Sequence, residues 1–342
     1  MKKTRSAIRI PMPLRYLINL VLILALWFVL YTLIQNGTIT NYWSGILITV
    51  GINIILATSL NVATGYLGQL PLGHAGFMAV GAYAGGIFMK AVPVQELLKS
   101  GNTGAAIPYI LLALLISAVV AGIFGILIGI PALRLRGDYL AIVTMAFAEI
   151  IRVCFCNFSI TGGGKTMSGI LKLSTFPRVF WIMVVCVTIM YLFVRSKYGR
   201  TVQAIREDYI AASASGINVT YYKVMTFAIS AFFAGIGGGI YAHYMTAMIP
   251  TNFNFNYSAE LLSEVIIGGT GSLTGSIIGA AFLSSLPELM RDFSTYRMLA
   301  YSVVLVLVML FRPGGIFGRW EFSLTRLLDG IRHPKAKAAK GA

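Results

Sequence analysis

Long apolar runs alternate with short polar segments along almost all of the 342-residue chain. Most of these runs are close to the roughly 20 residues that an α-helix needs to cross a bilayer. The pattern therefore predicts an all-α polytopic membrane protein with about ten transmembrane helices. The predicted spans are residues 16–34, 43–64, 72–89, 107–132, 139–158, 179–194, 224–246, 258–267, 275–289 and 298–311.

Two glycine-rich segments, residues 65–76 and 268–275, interrupt this pattern, one in each half of the chain. The span at 258–267 is too short to cross as a regular helix, so the glycine-rich turn after it is expected to complete the crossing. Paired interrupted segments are typical of two repeat-like halves with a transport pathway at the membrane midplane. The alternative is that both segments are ordinary ends of spans.

Composition supports the membrane assignment and excludes other classes of protein. Charged residues make up 11% of the chain and apolar residues 57%, with a mean hydropathy of +0.81. Soluble domains carry roughly a quarter charged residues. The net charge of +16 does not indicate nucleic-acid binding, because Lys and Arg are concentrated at the termini and in a few loops.

The placement of the basic residues also predicts an orientation. If the N-terminus is cytoplasmic, nineteen Lys and Arg residues lie on the cytoplasmic side and seven on the outer side. This excess is the usual signature of cytoplasmic loops. It predicts a cytoplasmic basic N-terminus at 1–15, a transmembrane domain at 16–318 and a cytoplasmic basic tail at 319–342.

The longest polar insert, residues 195–223, is predicted to contain a helix over residues 201–215 that ends at Gly216. Spacings of three and four place one set of residues on a common face of this helix. The set is Val202, Ile205, Tyr209, Ala212 and Gly216. A short helix of this kind between two spans is suited to a groove on another protein. The alternative is a solvated connector.

The motifs in this insert resemble the coupling loop of ABC-importer permeases, in the form found in the branched-chain amino acid branch. They are Gly199-Arg200, Ala204-Ile205-Arg206-Glu207-Asp208, Ala211-Ala212 and Gly216-Ile217. The sequence departs from the wider family at Ile210, where Glu is frequent. Four further blocks resemble the same branch: residues 65–77, 161–170, 268–275 and 311–318. By this resemblance the chain is identified as a LivM-type permease of a branched-chain amino acid importer.

The resemblance implies a function and a set of partners. It implies a permease subunit without covalent chemistry, cofactor or bound metal, in the cell membrane of a prokaryote. It also implies a second homologous permease, two ABC ATPase subunits that hydrolyse ATP, and an extracytoplasmic substrate-binding protein. The residues implied in ATPase coupling are Arg200, Ala204, Ile205, Arg206, Glu207, Ala211, Ala212 and Gly216.

A second group of residues is predicted to line the substrate pathway. They are Gln69, Gly73, His74, Glu149, Thr161, Gly162, Gly163, Glu264 and Gly271. Several have a simpler alternative: His74 as a packing residue, the Glu149–Arg152 pair as a structural ion pair, the Thr161 loop as a plain turn, and Glu264 as a residue at the membrane interface. A phosphate-binding loop at 159–166 is excluded, because Ser159 stands where that motif requires Gly.

Two other functions are compatible with the same residues. Related permeases that carry urea or short amides share these blocks. An ion-coupled secondary transporter or channel would use intramembrane charges, for which Glu149 and Arg152 are the clear candidates. The coupling-loop signature favours the importer. The three cysteines lack the partners of a zinc site and are expected to be buried apolar residues.

Overall fold

The computed structural model describes residues 12–92 and 103–291, except 136 and 164, together with scattered positions from 296 to 321. The described residues contain α-helices and no strand. The helices are α1 Met12–Gln35, α2 Asn41–Asn61, α3 His74–Ala91, α4 Thr103–Ala132, α5 Asp138–Asn157, α6 Phe176–Arg195, α7 Lys197–Glu207, α8 Tyr209–Ala214, α9 Val219–Met245, α10 Phe255–Gly268 and α11 Leu273–Leu289.

Five of the described helical segments are long and apolar enough to cross a membrane. They are Asn41–Tyr66, Ile107–Ala132, Asp138–Asn157, Phe176–Arg195 and Val219–Met245. The chain is therefore an all-α membrane protein, as the hydropathy pattern predicts. The count of ten spans stays a prediction. The predicted last span and the closing block at 311–318 fall about half outside the described residues, and both basic termini fall largely outside them.

The chain divides into two compact units, residues 1–43 with 321–342, and residues 44–320. In the larger unit, small residues bring α3, α4 and α9 into close contact. A Cβ atom added to Gly81 of α3 would overlap the backbone of Gly235 on α9, and one added to Gly85 would overlap Ser117 Oγ of α4. Gly pairs of this kind let helices approach closely in lipid. The glycines at 81 and 85, one helical turn apart on α3, therefore lie at its contacts with α9 and α4.

Helices α10 and α11 form a similarly tight hairpin. Backbone atoms of Gly268 and Gly275 leave no room for a Cβ on either residue. Helix α10 has 14 residues, about 21 Å at 1.5 Å per residue, against a hydrocarbon core of about 30 Å. The predicted short segment is confirmed, and Gly269, with φ of +117°, ends it.

The structure of the central insert differs from the prediction for it. The single helix expected over 201–215 is two helices, α7 and α8, separated at Asp208, which has φ of −152° and ψ of +105°. The Asp208 carboxylate accepts hydrogen bonds from the backbone N–H groups of Ile210 at 2.8 Å and Ala211 at 3.0 Å. Aspartate in this role starts a new helix, because it satisfies N–H groups that lack helical partners. The predicted common face is thereby lost: Val202 and Ile205 are buried, whereas Tyr209 is exposed.

Candidate functional site

The two glycine-rich segments meet in space. Helix α2 continues into a π-helical turn, Val62–Tyr66, at the start of the first segment. A Cβ atom on Gly65 in this turn would overlap the backbone nitrogen of Gly271 in the second segment. The backbone N–H of Ile316, in the closing block, donates to Ile267 at 2.8 Å beside the second segment. Segments far apart in sequence thus form one irregular junction.

Asn61, the last residue of α2, holds this junction together. Its side chain is fully buried. Its Oδ1 accepts a hydrogen bond from Gly271 N at 2.9 Å, and its Nδ2 donates to Ser272 O at 2.9 Å and to Ser276 Oγ at 2.7 Å. Both N–H groups of the amide and one lone pair of its oxygen are therefore used on the second segment and on the first turn of α11.

The central insert reaches the same junction through Arg206, near the end of α7. The Arg206 Nη1 donates to the carbonyl oxygen of Gly65. The aliphatic part of the side chain lies against Gly68, where an added Cβ would be 2.9 Å from Arg206 Cγ. Arg206 was predicted to act in ATPase coupling, and the structure places its side chain inside this chain, between both glycine-rich segments.

The other predicted coupling residues divide by exposure. Arg200, Ala204, Glu207, Ala211 and Gly216 lie on the surface, whereas Ile205 and Ala212 are buried. Ile210, beside Ala211, is 64% exposed. Of the two adjacent alanines implied in coupling, Ala211 is therefore accessible to a partner and Ala212 is not. The short helix α8 turns Ala212 toward the rest of the chain.

The residues predicted in the first glycine-rich segment are mostly engaged in packing. His74 is buried, and its Nε2 lies 2.8 Å from Ser59 Oγ. A Cβ atom on Gly73 would overlap the carbonyl oxygen of Thr144 on α5. Gln69 is partly exposed, and its backbone N–H bonds Ala63 O at 3.1 Å. For His74, the hydrogen-bonded packing alternative describes what the structure shows.

Glu264 lies in a buried polar cluster between α2, α10 and α11. Its Oε1 accepts hydrogen bonds from Ser284 Oγ at 2.8 Å and from Asn53 Nδ2 at 3.3 Å. The Tyr257 hydroxyl donates to Asn53 Oδ1 at 2.8 Å. The other carboxylate oxygen of Glu264, Oε2, has no hydrogen-bond partner within the part of the chain that the structure describes. A buried carboxyl group in a membrane helix is costly and marks a functional candidate.

A polar pocket of about 430 Å³ lies next to this cluster, and Tyr257 belongs to both. It is lined by Met78, Tyr241, Thr251, Asn252, Phe253, Asn254, Asn256, Tyr257 and Glu260. Asparagine amides, hydroxyls and one carboxyl group thus surround a space large enough for a small polar molecule. The predicted site residues do not include Asn53, Asn61, Tyr257 or the pocket asparagines. Asn53 and Asn61 had a usable signal, because an asparagine within an apolar span needs polar partners.

The loop with Thr161, Gly162 and Gly163 is a tight turn at the end of α5. The Thr161 hydroxyl bonds Phe155 O and Phe158 O, each at 2.7 Å, and both glycines have positive φ. Met167 further along pairs with Met248 after α9, through two hydrogen bonds of 2.9 Å. This loop therefore lies beside the segment that supplies the polar pocket, at the end of α9 opposite to its junction with α8.

Glu149 is not brought to any of these groups. It forms the predicted ion pair with Arg152, at 2.7 Å, and the two side chains are 36% and 26% exposed. Cys154 is exposed, contrary to the expectation for the cysteines, and Cys186 is buried. The described residues contain no cluster of His, Cys, Asp or Glu side chains that could hold a metal ion.

Comparison with known families decides the identity of the chain. Residues 42–312 match the family described as branched-chain amino acid transport system / permease component. The chain belongs to this permease family. The matched range includes both glycine-rich segments, the α7–α8 insert and the buried polar cluster.

The chain is also similar to individual proteins of branched-chain amino acid transport systems. It is 36% identical to the high-affinity branched-chain amino acid transport system permease protein LivM of Salmonella typhimurium, over 78% of this chain and 67% of that protein. It is 34% identical, with the same coverage, to LivM of Escherichia coli K12. It is also 29% identical to the permease protein LivH of Salmonella typhimurium, over 47% of this chain and 53% of that protein. No solved structure matches the permease.

Proposed function

We infer that this chain is the membrane-spanning subunit of an ATP-driven importer that carries branched-chain amino acids into the cell. The match over residues 42–312 to the permease family carries this inference, and the similarity to LivM supports the substrate class. The permease performs no covalent chemistry. It exposes a pathway alternately to the two sides of the membrane while separate ATPase subunits hydrolyse ATP.

The junction between the glycine-rich segments is the proposed moving part of the pathway. Irregular backbone at membrane depth is tolerated where it is buried in protein or lines a water-filled cavity. The contact between Gly65 and Gly271 supports a pairing of the two interrupted segments, one from each half of a ten-span bundle. Two repeat-like halves that meet at such segments are the arrangement from which alternating access arises.

The polar pocket is the proposed outer mouth of the pathway. Amide groups of Asn252, Asn254 and Asn256 can donate to a carboxylate, and the Glu260 carboxylate can accept from an ammonium group. An α-amino acid carries both groups whatever its side chain. A pocket of this kind binds the ammonium and carboxylate groups that all these amino acids share. Selection among their side chains is then made by the binding protein.

The exposed residues between Arg200 and Ala211, on the second half of α7 and the start of α8, form the proposed ATPase docking surface. It presents Ala211 and the largely exposed Ile210 beside the charged residues Arg200 and Glu207. The second permease of the assembly is proposed to be a LivH-like chain, since LivH proteins are related to this one and carry the name of the same transport system. Two ATPases and an extracytoplasmic binding protein complete the importer.

Reconstitution tests this function directly. The permease, its LivH-like partner and the two ATPases are placed in proteoliposomes with the cognate binding protein, and ATPase activity and uptake are measured. We expect leucine, isoleucine and valine to stimulate both, and other amino acids and urea to do so weakly or not at all. Stimulation by urea alone would replace the amino acid assignment. Ion-driven uptake by the permease without ATPases would replace the importer assignment altogether.

The orientation is tested by cysteine labelling in intact cells. In a background with Cys154, Cys156 and Cys186 changed to alanine, Ser213→Cys places a thiol on the exposed side of α8. An impermeant maleimide is expected to label it only after the cells are opened. Ser168→Cys, in the exposed loop at the other end of the bundle, is the matched control and is expected to react in intact cells. The reverse pattern would invert the proposed topology.

A further inference from the structure

The side chain of Arg206 connects the surface insert with the interior of the permease. Arg206 belongs to the last turn of α7, two residues before the break at Asp208. Helix α8 starts directly after this break. Its guanidinium group bonds Gly65 O, and an added Cβ at Gly271 would be 3.0 Å from Arg206 Nη1. A single side chain from the proposed docking segment thus touches both glycine-rich segments.

The π-helical turn explains why Gly65 provides the contact. Carbonyl groups in the last turn of a helix lack N–H partners within that helix. The Gly65 carbonyl points to the central insert and takes its hydrogen bond from Arg206. A cation at a helix C-terminus is also favoured by the helix dipole. Gly65 has no Cβ, and adding one would collide with Asn61 Oδ1 and Gly271 N, so this close approach requires glycine.

Asn61 continues the connection into the second half of the chain. It lies four residues before Gly65, at the start of the same π-helical turn. Its amide bonds Gly271, Ser272 and Ser276, and Ser272 is the N-cap of α11. Hydrogen bonds therefore run from α7 through Arg206 to the π-helical turn, and from there through Asn61 to the start of α11.

We propose that Arg206 and Asn61 transmit displacement of the α7–α8 insert to both glycine-rich segments at once. Arg206 is a positioning residue in this scheme and does not contact the ATPase. The proposal rests on the proposed function, in which ATPase subunits move α8. When α7 moves with α8, the hydrogen bond from Arg206 to Gly65 O displaces the π-helical turn. The hydrogen bonds of the Asn61 amide then displace the Gly271 turn and the start of α11.

The experiment uses the complete reconstituted importer with Arg206→Ala and Arg206→Lys. Lys197→Ala is the matched control, because Lys197 is an exposed cation on the same helix, outside the proposed docking residues. We expect Arg206→Ala to keep its ATPases on co-purification and to lower the substrate transported per ATP about tenfold or more, the factor expected for loss of a charge-assisted hydrogen bond. Arg206→Lys, which retains one donor, is expected to lie in between.

Three outcomes would overturn the proposal. They are normal transport per ATP in Arg206→Ala, loss of the ATPases from it, or an equal loss of transport per ATP in Lys197→Ala. Loss of the ATPases would place Arg206 in docking instead of transmission. If Arg206→Ala is not inserted into the membrane, Arg206→Lys is tested in its place. An unchanged ratio of transport to ATP hydrolysis in Arg206→Lys would reject the proposal.

Hydrogen exchange gives a readout that does not depend on the ATPases. The Gly271 amide is protected by Asn61 Oδ1, and in the purified permease Arg206→Lys or Arg206→Ala is expected to speed exchange in peptides covering residues 65–69 and 269–272. Lys197→Ala is expected to leave these peptides unchanged. Unchanged exchange in both Arg206 variants would reject the mechanical link even if the importer function is confirmed. Faster exchange with an inert importer would leave the link intact and count against the proposed function alone.

Discussion

Replacing Ala211 with tryptophan is expected to abolish transport while the permease is still inserted at its normal level. Ala211 is exposed on α8, so the larger side chain has room in the isolated subunit. A packed interface has no such room, and extra volume costs about 1–3 kcal/mol, which corresponds to a loss of affinity of about 5–140-fold. Co-purification of the ATPases with the tagged permease measures the effect.

The adjacent alanine provides the control for this prediction. Ala212 is 6% exposed, so tryptophan at this position must displace neighbours within the chain itself. Ala212→Trp is therefore expected to lower the amount of inserted permease, whereas Ala211→Trp is not. Retention of the ATPases and of uptake in Ala211→Trp would remove α8 from the docking surface and favour the connector alternative.

The second large effect is expected for Gly271→Leu, which should reduce transport by about tenfold or more while most of the protein is still inserted. Gly271 has φ of +88°, and a left-handed conformation costs other L-residues about 1–2 kcal/mol. A side chain would also meet Arg206 Nη1 at 3.0 Å and Gly65 O at 3.4 Å. Uptake normalised to the inserted permease measures the loss at the junction.

Gly37→Leu separates backbone strain from crowding. Gly37 has a similar φ of +73°, and nothing lies within 4 Å of an added Cβ. We expect it to transport nearly as well as the wild type. An equal loss of transport in Gly37→Leu and Gly271→Leu would show that the Gly271 effect comes from backbone strain alone. Gly73→Leu differs from both, since its Cβ would collide with the Thr144 backbone of α5, and the amount of inserted protein should fall.

The order of the helices could be predicted from the sequence because hydropathy acts locally. A run of apolar residues is driven into the bilayer as a helix whatever its neighbours are, since its backbone groups must be hydrogen-bonded internally. The short segment that ends near Gly268 follows from the same local signals. The break at Asp208 also had a local signal, an N-cap residue, but the surrounding helix-forming residues concealed it.

The orientation of individual polar side chains was decided by the tertiary structure. Arg206 and Ala212 belong to a motif that indicates a surface, yet the packing of α7 and α8 turns both toward the chain. The partners of Asn61 and Glu264 lie more than 200 residues away or on a neighbouring helix, and no local pattern specifies which groups meet. Hydrogen bonds are short-ranged and directional. The sequence by itself therefore determined that the chain is a helical membrane protein and which family it belongs to. The junction of the two glycine-rich segments, in contrast, exists only once the helices have packed.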